Sequence, residues 1–321
     1  MSVTERLDDF QQRHPAAGFP IAVVYKFGDD QGGNLAALVT YFGFLSIFPL
    51  LLVLSTVLGL VLSGDADLQK RVLDSALGQF PLIGQDLGTP KKIGGGTLGL
   101  VVGLLGSLYG ALGVGAAVQN AMNTAWAIPK NSRPNPFKTR GISLLLLLTV
   151  GLGLIGTTAL TALGGAASSF GVPAKVGLTA ASVALNAAIF VLAFRLATAR
   201  ELTARQVAPG AITAAVVWQL LQSFGTIYAA HVANTTSVSG GIFAVVLGLI
   251  AFLSIASTAL VLCIEINVVR VKELHPRALL TPFTDSVDLT EGDKEAYTDA
   301  AKAQRSKGFQ NVDVTFGERP E

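Results

Sequence analysis

Few residues in this sequence have side chains suited to chemistry. There are three histidines, His14, His231 and His275, and one cysteine, Cys263. The histidines fall on different segments, and His231 is expected on the opposite membrane face from the other two. A metal-dependent nuclease needs several carboxylates or histidines converging on its ions, and no HxHxDH-like cluster exists. No GxxxxGK(S/T) run exists to cradle a nucleotide phosphate, so the chain carries no ATPase loop of its own. A lone cysteine makes neither a disulfide framework nor a CxxC metal site. The expectation is therefore no enzyme, no cofactor and no metal. What remains is polar groups set inside apolar runs. LVLCIEINVVR places Glu265 and Asn267 at the close of a stretch, Gly240 to Ile264, that carries no charge. Asn186, Gln219 and Gln222 with Trp218, and Tyr41, Ser46 and Pro49 sit within other such runs.

The elements that must position these groups are membrane spans. The chain has 321 residues, 14% of them charged and 51% hydrophobic. A soluble chain carries about a quarter charged residues. Mean hydropathy is +0.56, and the charges are segregated toward the ends. A net charge of +2 is too small for a nucleic-acid binder. A span needs roughly 20 apolar residues to cross about 30 Å of hydrocarbon. Six segments qualify: 36–62, 94–118, 141–163, 175–197, 208–230 and 240–266. The fold class expected is all-α, a polytopic membrane protein of six transmembrane helices. It divides into an N-terminal segment 1–34, a membrane domain 35–270 and a tail 271–321.

Residues 1–34 hold no signal-peptide core, so the first span is expected to act as its own insertion signal. Lysine and arginine set the orientation. With the N-terminus inside, thirteen near-membrane positives, from Arg6 to Arg277, face five on the outer side: Lys70, Arg71, Lys91, Lys92 and Lys175. Both termini are then cytoplasmic, in a bacterial inner membrane. FPIAVVYKF, at 19–27, is too short to span and reads as an interfacial helix with Phe19, Tyr25 and Phe27 in the headgroup zone. DLQKRVLDSALGQF, at 67–80, has helical apolar spacing and reads as an amphipathic helix on the outer face. RLATARELTARQV reads as a short helical extension, and the tail beyond about 276 as disordered or weakly helical.

Glu265 lies about one turn beyond the hydrocarbon if that covers 242–262. No cation sits within one turn on its own helix. One reading makes it a pin paired with a basic loop, at Arg140 or Arg195. A second makes Glu265 and Asn267 the lining of an inner gate or of a headgroup or proton site, and a third leaves Glu265 simply exposed at the interface. Asn186, Gln219, Gln222 and Trp218 fall at the centres of the fourth and fifth spans, where an amide needs a partner. They serve either as interhelical hydrogen bonds or as a polar midplane cavity suited to an amphiphile. Gly99, Gly103, Gly106, Gly110 and Gly113 repeat at intervals of four and three, which puts them on one face of the second span. That face suits close helix packing or a groove for an acyl chain. Pro49 removes a hydrogen bond inside the first span and frees the carbonyl of Leu45, near Tyr41 and Ser46.

These elements together resemble the YihY/BrkB family of bacterial integral membrane proteins. The matching residues are Ala37, Tyr41, Ser46 and Phe48-Pro49 in the first span, AMNTAW ending at Trp126, and Pro209-Gly210 with Trp218 in the fifth. The family's closing GAExN-type pattern falls on Cys263 to Asn267, with only Glu265 and Asn267 retained. The resemblance covers roughly residues 15–275. It implies six helices in the cytoplasmic membrane and no settled activity. One branch, the YhjD type, is suspected of moving envelope lipids. The family's older label, ribonuclease BN, finds no support in these residues. The reading that follows is a translocator of lipid or another amphipathic envelope component, with membrane lipids as partners. The alternative is a non-catalytic scaffold that gathers envelope proteins.

Overall fold

The structure is a computed structural model that describes residues 3–61, 96–166, 172–235, 238–281, 283–284 and 286–317. Every regular element among them is helical. Two short helices, α1 (Val3–Arg13) and α2 (Pro15–Asp29), come first. Six long ones follow: α3 (Gly32–Val61), α4 (Gly96–Ala125), α5 (Pro136–Ala166), α6 (Val172–Ala197), α7 (Ala204–Thr235) and α8 (Val238–Val271). A last helix, α9 (Glu291–Ala303), closes the chain. Each apolar segment found in the sequence falls on one long helix. The shortest of these, α6, has 26 residues, about 40 Å at 1.5 Å per residue. Among the described residues, Val176–Ala197, Ala204–Gly225 and Val246–Val271 are long and apolar enough to cross a membrane, and Gly32–Ile47 is a shorter apolar helix. The amphipathic helix expected at 67–80 lies outside the described residues.

The long helices pack in chain order, α3 on α4, α4 on α5, and so on to α8, which returns to α3 and closes a ring. Contacts across the ring, α4 with α6 and α4 with α8, are sparse among the described residues. The glycine spacing of α4 finds its reason here. A methyl group at Gly110 would come within 2.6 Å of Ser46 Cβ, and one at Gly113 would overlap the Phe42 ring. Those two glycines let α4 close on α3 of the same chain. Gly103 is buried and Gly106 half-buried on the same helix. The surroundings of Gly99 and the side chain of Pro49 lie outside the described residues, although helix α3 continues through position 49.

The buried apolar core gathers at one end of the ring, where the chain carries its charges. Ala22, Met122, Trp126, Phe194, Val207 and Ile264 meet there. Away from it, large apolar side chains stand uncovered, among them Leu105, Leu152, Val176, Phe224 and Leu247. Few residues of the apolar window of α6 are fully buried by the rest of the chain. That pattern suits helices whose outer solvent is hydrocarbon.

Three segments differ from the expectations. The tail is not structureless. Thr290 and Asp293 form a reciprocal cap that starts α9, and Asp293 is fully buried. Residues 198–203 are not a helical extension: α6 stops at Ala197, Asn123 Oδ1 accepts from Ala199 N at 2.8 Å, and Thr203 bonds Gln206 before α7 starts. Finally, α2 does not simply lie at a surface. It packs on α8 with Ala22, Val23 and Lys26 buried, and Phe19 and Phe27 rest against the core.

Candidate functional site

The polar end is built around the last turns of α8. Val261, Ile264, Val268 and Val269 follow helical spacing, but Cys263, Glu265 and Asn267 are also buried. The helix is therefore enclosed nearly all round at this level, by α2, α3 and α7. It ends where Glu273 takes a left-handed conformation (φ 54°) and Leu274 N–H bonds the Val269 carbonyl at 3.1 Å.

Asn267 ties α8 to α7. Its Oδ1 accepts from Gly210 N–H at 2.7 Å, and the side chain is wholly buried. The preceding residue explains the pairing. Pro209 has no N–H for the carbonyl of Arg205 one turn back, and that carbonyl accepts from Arg270 Nη1 at 3.2 Å. Gly210 must be glycine because a Cβ there would overlap the Cys263 carbonyl oxygen and the Asn267 amide. The Pro-Gly pair thus opens α7 at one backbone carbonyl and lets α8 approach closely. Losing the Asn267–Gly210 bond would cost about 1 kcal/mol.

Glu265 is 0% exposed. Its nearest cation is neither Arg140 nor Arg195. Arg195 is turned to the Leu202 carbonyl, with Nε at 2.8 Å. The cation is Lys26 of α2, whose Nζ lies 3.9 Å from Glu265 Oε2. That is a charge contact without a hydrogen bond. Lys26 Nζ instead donates to Asp30 Oδ2 and, at 3.3 Å, to the Ala125 carbonyl at the end of α4. Burial opposes the Lys26 charge, but Glu265, Asp30 and Asp29 together outweigh it and hold its pKa above the usual lysine value. Burial pushes the Asp30 carboxyl up. The pin reading of Glu265 thus finds a cation, but from a helix that reads in the sequence as interfacial. The one signal for it was Lys26 itself, set in an otherwise apolar FPIAVVYKF with Asp30 one helical turn on.

A second cluster braces this one. Arg277, also 0% exposed, donates from Nε to Asp293 Oδ1 and from Nη2 to Asp29 Oδ2 at 2.9 Å. Its guanidinium lies 5.5 Å from the Tyr297 ring centroid and 6.0 Å from that of Tyr25. Gln11 of α1 donates to the Arg277 carbonyl. One residue past α8 thereby holds α1, α2 and α9 together. The tail continues across the face, through Lys272–Asp299 and through Asn131 N–H to the Arg305 carbonyl at 3.1 Å.

The other polar groups found in the sequence lie away from this end and are not brought to it. Asn186, Trp218, Gln219 and Gln222 are all half-buried. The Trp218 ring meets Phe252 of α8 edge-on at 6.2 Å, and Gln222 follows one turn further along α7. Tyr41 is exposed, with its ring edge-on to Phe42. Ser46 Oγ bonds the Gly43 carbonyl at 2.8 Å, inside its own helix. Among the described residues no group of three or more His, Cys, Asp or Glu could hold a metal ion.

A family model described as Virulence factor BrkB matches residues 23–283. The match takes in Lys26, Asp30, Gly210, Glu265, Asn267 and Arg277 and stops before α9. The chain matches no curated protein and no solved structure.

Proposed function

The chain belongs to the BrkB family of membrane proteins, and on that premise we propose that it translocates lipid or another amphipathic component of the cell envelope. In this reading the six long helices all cross a bacterial inner membrane, with α1, α2 and α9 on the cytoplasmic side. The lysine and arginine asymmetry of the sequence supports that orientation. The protein carries no catalytic chemistry, and its partners are the lipids around and between its helices.

One observation carries the reading. The amides of Asn186 and Gln219, at the middle of α6 and α7, are partly exposed on a ring with few contacts across it. An amide serving only as glue between helices would be shut into a contact. Half-exposed amides on apolar helices suit a path that an amphiphile's headgroup follows while its chains stay in hydrocarbon. The closed polar end then forms the floor of that path. The scaffold reading draws on a different feature, the exposed Phe283 and Phe309 of the docked tail, which would meet a protein partner.

Reconstitution separates the two. Liposomes with headgroup-labelled lipid are treated with dithionite, which bleaches only the outer leaflet. The translocator reading expects faster loss of inner-leaflet fluorescence than in protein-free vesicles. Well-folded protein with no acceleration, for neutral and anionic lipids alike, would move the weight to the scaffold.

A further inference from the structure

The pin formed by Lys26 and Glu265 is incomplete as an ion pair. Two carboxyls, Asp30 and Glu265, surround one ammonium. Fully ionised, the three groups would carry a net charge of −1 in a place where water does not reach Glu265. A buried charge without compensation is costly. Neither oxygen of Glu265 receives a hydrogen bond from an N–H or hydroxyl among the described residues. Both carboxyls face the same ammonium, Asp30 hydrogen-bonded to it and Glu265 3.9 Å away. Two carboxylates drawn to one cation repel each other, and a proton between them removes that repulsion.

Among the described residues the surroundings leave no other neutralising group. From α2 come Lys26 and Asp29, and Asp29 is already engaged by Arg277 of the tail. From α4 comes only the Ala125 carbonyl, which Lys26 occupies. From α7 the nearest group is the Gly210 N–H, which Asn267 takes. Lys272, beyond α8, is bound to the Trp126 carbonyl and to Asp299. A metal cation is disfavoured because the Lys26 ammonium already stands between the carboxyls. A proton on a carboxyl adds no repulsion there.

We propose that Asp30 and Glu265 share a single proton beside the Lys26 ammonium, which makes this cluster a proton-binding site at the polar end of α8. The shared proton brings the cluster to net zero, with Lys26 positive and one carboxylate negative. Asp30, the less enclosed of the two acids, is the exit to water. When the proton leaves, a second negative charge appears between α2 and α8, and the two helices must part or draw in water to solvate it. Burial of Asp30 favours the protonated form in the same direction. Whether the cargo is lipid does not enter this inference.

The test is infrared difference spectroscopy of the full chain in liposomes, read at the carbonyl stretch of a protonated carboxylic acid. The wild-type protein should show one such group per chain at neutral pH, shifted in heavy water and lost as the pH is raised. Glu265→Gln and Asp30→Asn should each abolish it, because either variant leaves one carboxylate for one ammonium. The absence of the band from wild-type protein at neutral pH overturns the proposal. So does its persistence in either variant. The wild-type titration stands alone should a variant fail to fold.

Discussion

At one end of the ring, charged side chains are shut away from water; along the rest of it, apolar side chains stand uncovered. Glu265, Asn267 and Arg277 have no exposed surface, whereas Asn186, Gln219 and Gln222 are half-exposed on helices almost free of charge. The polar groups at the closed end have hydrogen-bond or ionic partners from other segments, so their loss acts on folding. The amides of Asn186 and Gln219 in the open part are only partly buried, so in the proposed reading their loss should act on what passes. On the proposed reading, polarity in an apolar helix has two uses, and burial is what would tell them apart.

The sharpest break comes from Arg277→Leu. It leaves Asp293 and Asp29 without their guanidinium, at a cost of about 3–5 kcal/mol for a buried pair that loses one partner. The expected result is a lower melting temperature in detergent, with faster hydrogen exchange confined to α1, α2 and α9. An unchanged exchange pattern would show that the tail is not held by this residue. Next come Gly210→Ala and Asn267→Leu. The first puts a methyl on the Cys263 carbonyl and should cost about 1–3 kcal/mol. The second removes the Asn267–Gly210 hydrogen bond, for about 1 kcal/mol. Both act on the same contact, so the double variant should cost less than the sum of the two.

Much of the ring was legible beforehand because hydrophobic length is a strong signal. Each of the six apolar runs falls, over its described residues, on one long helix, and Gly110 and Gly113 of the four-three glycine series meet α3. The closed end was harder to read. Lys26 and Glu265 are about 240 residues apart, and no local pattern joins them. The tail misled for a similar reason. Its composition is polar and mixed, yet the cap at Thr290 and Asp293 and the insertion of Arg277 fix it in place. The short TEGD run was the only local sign of that cap.

A smaller effect depends on pH. The Asp30 carboxyl is held above its ordinary value in the folded protein. Its contribution to stability is therefore full at acidic pH and is lost as the pH rises from the ordinary carboxylate range, about 4, through the raised folded value. Melting temperature should fall between mildly acidic and mildly alkaline buffer, and less steeply in Asp30→Asn. Equal slopes would remove Asp30 from the cluster's titration. Smallest in stability is Gln222→Leu, expected within about 0.5 kcal/mol of wild type but without lipid translocation. A large loss of stability with translocation intact would reverse the division between the two regions.

The chain carries its own reporters for that division. It has two tryptophans: Trp126, 1% exposed in the closed end, and Trp218, half-buried on α7. Trp126→Phe leaves only the second and Trp218→Phe only the first. With each variant in vesicles of brominated lipid, the quenching of tryptophan fluorescence reports which region lipid reaches. The account predicts strong quenching of Trp218 and little of Trp126. Equal protection of both would mean a close-packed interior throughout and would contradict a lipid path along α7.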